Sequence, residues 1–129
     1  MAEERTIASP QPNVETQAFW DAAGEGKLLI KSCNSCGKPH YYPRALCPRC
    51  FSDNTEWTEA KGTGEIYSFS VMKRAKISYA IAYVTLDEGV TMMTNIVDTD
   101  LDAIKIGQKV KVVFKPTEDG PPVPMFTPV

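Results

Sequence analysis

CNSCGKPHYYPRALCPRC, residues 33–50, contains every cysteine of this 129-residue chain. The four thiols form two Cys-x-x-Cys pairs, Cys33/Cys36 and Cys47/Cys50, with ten residues between the pairs. Each such turn aims both sulfurs at one point, and two facing turns build the tetrahedral thiolate cage that zinc prefers. Gly37 follows Cys36 where the turn calls for positive φ, and Pro48 stiffens the second pair. The spacing therefore predicts a zinc site made of all four cysteines. Four thiolates fill the coordination shell, which marks the metal as structural, since a catalytic zinc keeps one position open. Iron fits the same sulfur cage. A thioredoxin-like redox pair would need a single Cys-x-x-Cys opening a helix beside a βαβ unit, and that pattern is missing. His40, the one histidine of the chain, is expected at the surface of the ribbon.

Working outward, four segments are expected. Residues 1–12 are polar, carry Pro10 and Pro12, and read as disordered. Residues 13–26 read as a helix capped by Asn13, with Val14, Ala18 and Ala22 on one stripe, Phe19 and Ala23 alongside, and Trp20 at the core edge. Residues 27–60 hold the zinc ribbon, entered by the strand KLLIKS, with HYYPR as a short strand between the cysteine pairs. Residues 61–129 form a run of strands split by turn signals. In GEIYSFSVMK, Ile66, Ser68 and Ser70 alternate with Tyr67, Phe69 and Val71. SYAIAYVTL and VTMMTNIV form a hairpin around Asp87, Glu88 and Gly89, with the glycine at positive φ. DTDLDAI reads as an acid-capped helical turn and IGQKVKVVF as a further strand. The tail GPPVPMFTPV is too rich in proline for a central strand and is expected at an edge or reaching outward. The fold class is thus mainly β with an N-terminal helix: a rubredoxin-like zinc ribbon followed by a small OB-type barrel.

Composition narrows the function. The first residues show no secretory h-region and no stretch reaches the ~20 apolar residues of a membrane span, so a cytoplasmic protein with reduced thiols is expected. Net charge is −2, yet eight of the 14 basic residues lie in two stretches without acids. Lys27, Lys31, Lys38, Arg44 and Arg49 lie in the first, and Lys73, Arg74 and Lys76 in the second. They read either as solvated surface balancing the thiolates or as an anion site. With the cysteines committed to metal, no free thiol nucleophile, no second histidine and no Gly-x-Ser-x-Gly elbow remain. Gly62-Thr63-Gly64 lacks the rest of any phosphate-binding loop. Asp87 and Glu88 read as turn chemistry. Asp98, Asp100 and Asp102 read as capping rather than a calcium loop, which would need a glycine and a terminal Glu. No catalytic residues of its own are expected.

The order Phe19-Trp20, Leu28, the Cys33–Cys50 ribbon with Tyr42-Pro43-Arg44, Gly62-x-Gly64-x-Ile66-Tyr67-Ser68, Leu86-Asp87-Glu88-Gly89-Val90, Ile106-Gly107-x-x-Val110 and Pro124-x-Phe126-x-Pro128 resembles the DUF35 family across residues 14–128. The resemblance implies a zinc ribbon plus OB-fold accessory protein whose catalytic residues come from a partner. Such partners are thiolase-fold acyl-CoA enzymes, lipid-transfer-type aldolases or MaoC-like enoyl-CoA hydratases, joined as a hetero-oligomer. Lys73, Arg74 and Lys76, with Lys38, Arg44 and Arg49, are then candidate contacts to the phosphates of coenzyme A. The segment from Val71 to Tyr79 is shorter than usual in the family and lacks the proline found before the tyrosine. A single-stranded nucleic-acid binder is the competing reading, opposed by a pI near 5.4 and by strand aromatics (Tyr67, Phe69, Tyr79, Tyr83) that could equally fill the barrel. An adaptor unrelated to coenzyme A would use the tail from Pro121 as its docking strand.

Overall fold

The structure is a computed structural model that describes residues 5–129. The order is helix α1 (Gln17–Gly24), strands β1 (Leu29–Cys33), β2 (Pro39–His40) and β3 (Thr55–Glu59), then β4 (Thr63–Met72), β5 (Tyr79–Leu86), β6 (Thr91–Ile96), a 3-10 turn Leu101–Ala103, β7 (Lys109–Lys115) and β8 (Val123–Pro128). The first three strands form an antiparallel sheet in the order β2-β1-β3. The last five close into a barrel, β4-β5-β6-β8-β7, with β4 pairing back onto β7. The pairing is antiparallel throughout except where β6 meets β8 in parallel, which is the OB topology expected.

The helix is shorter than its sequence pattern suggests. Asn13 and Thr16 bond reciprocally, Thr16 N–H donating to Asn13 Oδ1 at 3.0 Å and Asn13 N–H to Thr16 Oγ1 at 3.1 Å. That closes a turn ahead of the helix and leaves Val14 fully exposed. The buried stripe is Thr16, Phe19, Trp20 and Ala23, not the one centred on Val14, Ala18 and Ala22. Trp20 is 8% exposed, and its indole N–H donates to Tyr42 Oη at 3.0 Å. The helix packs on both β1 and β8. Phe19, Trp20, Leu28 and Ile30 share one continuous core with the barrel residues Ile66, Val84, Leu86, Met92, Val110 and Phe126.

Three expectations change inside the sheets. HYYPR is not a strand beyond His40, because Tyr41 and Tyr42 turn toward the helix and pack on Phe19 with centroids 5.8 and 5.7 Å away. In β4 the register shifts between Ile66 and Ser68, so the simple alternation fails. Ile66 is buried before the bulge, while Phe69 and Val71 pack on the core after it. The proline-rich tail is a full barrel strand, with Met125 and Phe126 buried, and is therefore no free docking strand. Its prolines are tolerated because the seam with β6 rests on a single bridge, Ile96 to Phe126, so few ladder bonds depend on their missing N–H groups.

The N-terminal segment also departs from expectation. From Arg5 the chain lies along the barrel: Glu118 N–H donates to the Ile7 carbonyl at 3.1 Å, and Ser9 Oγ bonds Asp119 Oδ1 at 2.8 Å. The Arg5 guanidinium stacks over Tyr79 at 4.1 Å. Residues 1–4 lie outside the described residues.

Candidate metal centre

Both cysteine pairs sit in turns built on one plan. In the first, Cys33 N–H donates to the Lys38 carbonyl at 3.0 Å and Gly37 N–H to the Cys33 carbonyl at 2.8 Å. In the second, Cys47 N–H donates to the Ser52 carbonyl and Phe51 N–H to the Cys47 carbonyl, both at 2.9 Å. The two knuckles bring all four sulfurs within 4.8 Å of one another. Cys33 and Cys50 lie 3.5 Å apart and Cys36 and Cys47 3.7 Å apart, both non-bonded separations. A tetrahedron with metal–sulfur bonds of ~2.3 Å has edges of ~3.8 Å. The cage therefore fits zinc in size, ligand number and softness.

Main-chain dipoles prepare the thiolates. The Cys36 N–H points at Cys33 Sγ at 3.5 Å and the Arg49 N–H at Cys47 Sγ at 3.4 Å. The Cys36 amide, with a smaller contribution from Ser35, holds the Cys33 thiol below its ordinary range. The Cys50 and Arg49 amides bring Cys47 down to about 6. Cys47 is thus favoured as a thiolate near neutrality, whereas at Cys50 the Ser52 amide is outweighed by the neighbouring sulfurs and by burial, which push that thiol up to about 11.

Around the cage the sequence reading needs two corrections. His40 is buried, 5% exposed, and neither ring nitrogen has a hydrogen-bond partner among the described residues. Burial holds its pKa below the ordinary value; the Arg44 main chain opposes this, and the charges of Lys31, Arg49 and Arg44 add to it. Lys31 is not a solvated charge either: it is 9% exposed, its ammonium 4.6 Å above the Trp57 ring and 3.2 Å from Thr55 Oγ1.

The six candidate phosphate contacts fall into two groups that no hydrogen bond or ion pair joins among the described residues. Lys38, Arg44 and Arg49 lie exposed on the ribbon, and Lys73, Arg74 and Lys76 are exposed in the β4–β5 loop. Arg44 is committed to Glu15, whose Oε2 accepts from Arg44 Nε at 3.3 Å and from the Ala45 N–H at 2.5 Å. That amide, more than Arg44, lowers the Glu15 pKa. Lys73 meets Asp102 at 3.8 Å, with both side chains well exposed. Lys38, Arg49, Arg74 and Lys76 have no ion-pair partner among the described residues. Of the acids, Asp100 caps as expected, accepting from the Asp102 N–H at 3.0 Å, while Asp98 pairs with Lys115 at 2.7 Å. Asp87 and Glu88 reach out of their own turn instead, Asp87 accepting from Thr63 Oγ1 and Glu88 from the Lys61 N–H at 2.9 Å.

Two features escaped the sequence reading. Phe51 adopts φ 65° and is 75% exposed, in the knuckle position that Gly37 fills at φ 75° in the first turn. Alignment of the two Cys-x-x-Cys turns places Phe51 opposite Gly37, a signal available from residues 33–51 alone. Tyr67, Tyr83 and Met93 are exposed on the outside of β4, β5 and β6, at 68%, 46% and 61%. Tyr83 pairs directly with Met93, and the bulge at Tyr67 turns that ring outward.

Comparison with known proteins agrees with this architecture. The rubredoxin-like zinc ribbon domain of ChsH2 matches residues 20–56, and the C-terminal OB-fold domain of ChsH2 matches residues 57–115. A DUF35 domain-containing scaffold protein of Methanothermobacter thermautotrophicus is 34% identical over 95 residues, covering 68% of this chain and 71% of that protein. A probable enoyl-CoA hydratase alpha subunit of Thermomonospora curvata is 32% identical over 126 residues, but the chain spans only 40% of that relative's length. Among solved structures, a chain of the Ltp2-ChsH2(DUF35) aldolase superposes with a TM-score of 0.80 at 31% identity, over 92% of this chain and 98% of that one.

Proposed function

Because the chain belongs to the DUF35 family, we propose that it is a non-catalytic accessory subunit of an acyl-CoA-processing complex. Its partner on this reading is a thiolase-type enzyme that makes or breaks a carbon–carbon bond on a CoA thioester, and the subunit completes the interface and the CoA channel. The observation that carries the accessory-subunit role, whichever acyl-CoA enzyme is the partner, is the near full-length match to a chain of the Ltp2-ChsH2(DUF35) aldolase. Its size and arrangement also resemble the small subunit of a 2-benzoylsuccinyl-CoA thiolase. The relative described as an enoyl-CoA hydratase alpha subunit supports a MaoC-like hydratase as the alternative partner, and the match to the aldolase chain supports a lipid-transfer-type aldolase as another.

Within this reading the Cys33, Cys36, Cys47 and Cys50 cage holds one structural zinc. The metal ties β1 to the two knuckles, and main-chain amides favour the thiolate at Cys33 and Cys47. Lys73, Arg74 and Lys76 offer exposed cations to the CoA phosphates, with Lys38 and Arg49 as a second group and Arg44 restrained by Glu15. Purification of the tagged chain from its native host, followed by mass spectrometry, tests the subunit reading. A stoichiometric acyl-CoA enzyme is the expected companion; recovery of the chain alone, or with nucleic acid, sinks it.

A second reading, binding of single-stranded nucleic acid, is favoured by one observation. Tyr67 and Tyr83 stand exposed on an OB barrel face whose β4–β5 loop is basic. Retarded migration of a single-stranded oligonucleotide at micromolar protein, abolished by Tyr83→Ser, would establish it.

A further inference from the structure

We propose that the tip of the second zinc knuckle, Phe51 together with Leu46, is the point at which the acyl-CoA enzyme subunit docks. The proposal rests on the accessory-subunit reading and deepens it by naming the surface used. The two knuckles share their main-chain hydrogen bonds residue for residue, and both take positive φ after the second cysteine. The first knuckle does so with Gly37, which has no Cβ to clash; the second places a phenyl ring there at φ 65°. Nothing among the described residues compensates. Phe51 is 75% exposed and takes no part in the buried core.

An isolated chain would thus be better served by glycine at position 51 on both counts, backbone strain and apolar exposure. A ring kept at such a position finds its use when a partner covers it. Leu46, immediately before Cys47, is 52% exposed and adds a second apolar group to the same turn. Arg49, on the turn itself, and Lys38, on the facing knuckle, are exposed cations without an ion-pair partner among the described residues. The complementary surface is therefore an apolar recess flanked by carboxylates on the enzyme subunit. A large aromatic anchor within a charged rim is the usual anatomy of an interface hot spot. With zinc bound, the four-cysteine cage behind the turn would hold the anchor in place, which lowers the entropy lost on docking.

The test uses the complex purified from the native host, separated into its two components. The enzyme subunit is titrated with the wild-type chain and with Phe51→Gly, Leu46→Ser and Tyr83→Ser. Phe51→Gly should raise the melting temperature of the isolated chain while weakening association at least ~10-fold; these opposite signs separate a docking role from a folding one. Leu46→Ser should weaken association without that thermal gain. Wild-type affinity in both knuckle variants overturns the proposal and leaves the subunit reading intact. Loss of affinity in Tyr83→Ser alone overturns it too, by moving the interface to the barrel face. If no acyl-CoA enzyme accompanies the chain, the subunit reading fails, and the occupant named here fails with it.

Discussion

Gly64 fixes how closely β4 and β5 approach. A Cβ at that position would lie 2.4 Å from the Thr85 carbonyl oxygen, and because the obstacle is main chain, no rotamer change relieves it. Gly64→Ala should therefore lower stability by about 1–3 kcal/mol, the usual cost of overpacking. The effect would appear as a lower urea midpoint with an unchanged slope. The Gly62-Thr63-Gly64 triplet is thus a packing device. His40 makes a different residue-scale case. Its imidazole is buried without partners, so the folded chain resists a proton that the unfolded chain takes up below its ordinary value of 6.5. A depressed folded pKa means that stability is present above 6.5 and declines as the pH falls below it. Thiolate protonation adds its own acid sensitivity, so the diagnostic quantity is a difference. Between pH 7.5 and 5.5 the urea midpoint of His40→Leu should fall less than that of the wild type. Parallel curves would show that the imidazole is already protonated in the fold, or that it never resists protonation.

At the scale of elements, the ribbon depends on its metal in a way the barrel does not. Strand β2 has two residues, and the β2-β1-β3 sheet by itself is too small for independent stability. Structural zinc contributes on the order of 10 kcal/mol in comparable small domains. Stripping the metal with a strong chelator, or replacing Cys47 by Ser, should release one zinc per chain. Amide exchange in β1 and β3 should then accelerate by several orders of magnitude, while β5 and β6 remain protected. Equal deprotection of both units would contradict a self-supporting barrel. The same contrast explains what the sequence disclosed. The cysteine spacing and the Asp87–Gly89 hairpin were legible because turn chemistry is local, and Gly89 indeed takes φ 96°. The β4 bulge was not, because Tyr67 leaves the register only when Ser68 must pair with Tyr83 on the neighbouring strand β5. Nor was β8: whether Pro124 and Pro128 are tolerated depends on how little of the β6 seam carries hydrogen bonds, a property of the closed barrel. His40 was misplaced for a related reason, since its strand has only two residues and offers no alternation from which a buried face could be read.

For the whole molecule, helix α1 joins the metal unit to the barrel. Phe19 is 1% exposed, meets Trp20, Tyr41 and Tyr42 edge-on or tilted, and belongs to the core that reaches Phe126. Phe19→Ala should cost about 3–5 kcal/mol and lower the single thermal transition of the metal-loaded chain. Function at this scale turns on charge placement. The net charge of −2 gives no general attraction for anions, so phosphate binding would have to come from local clusters. Of these, the β4–β5 loop is the better candidate, because Arg74 and Lys76 are exposed and unpaired among the described residues, and the Lys73–Asp102 contact is long and solvent-screened. Contacts from such cations to phosphate oxygens contribute roughly 1.5–3 kcal/mol each when formed. Reversal of two of them, Arg74→Glu with Lys76→Glu, should weaken binding of a non-hydrolysable CoA thioether by the purified complex at least ~10-fold. The wild-type affinity should fall as salt rises, and the reversed variant should show a flatter dependence. Calorimetric titration at low and high salt reads both quantities. An unchanged dissociation constant with an unchanged salt slope would remove the loop from the CoA site, whatever the partner proves to be.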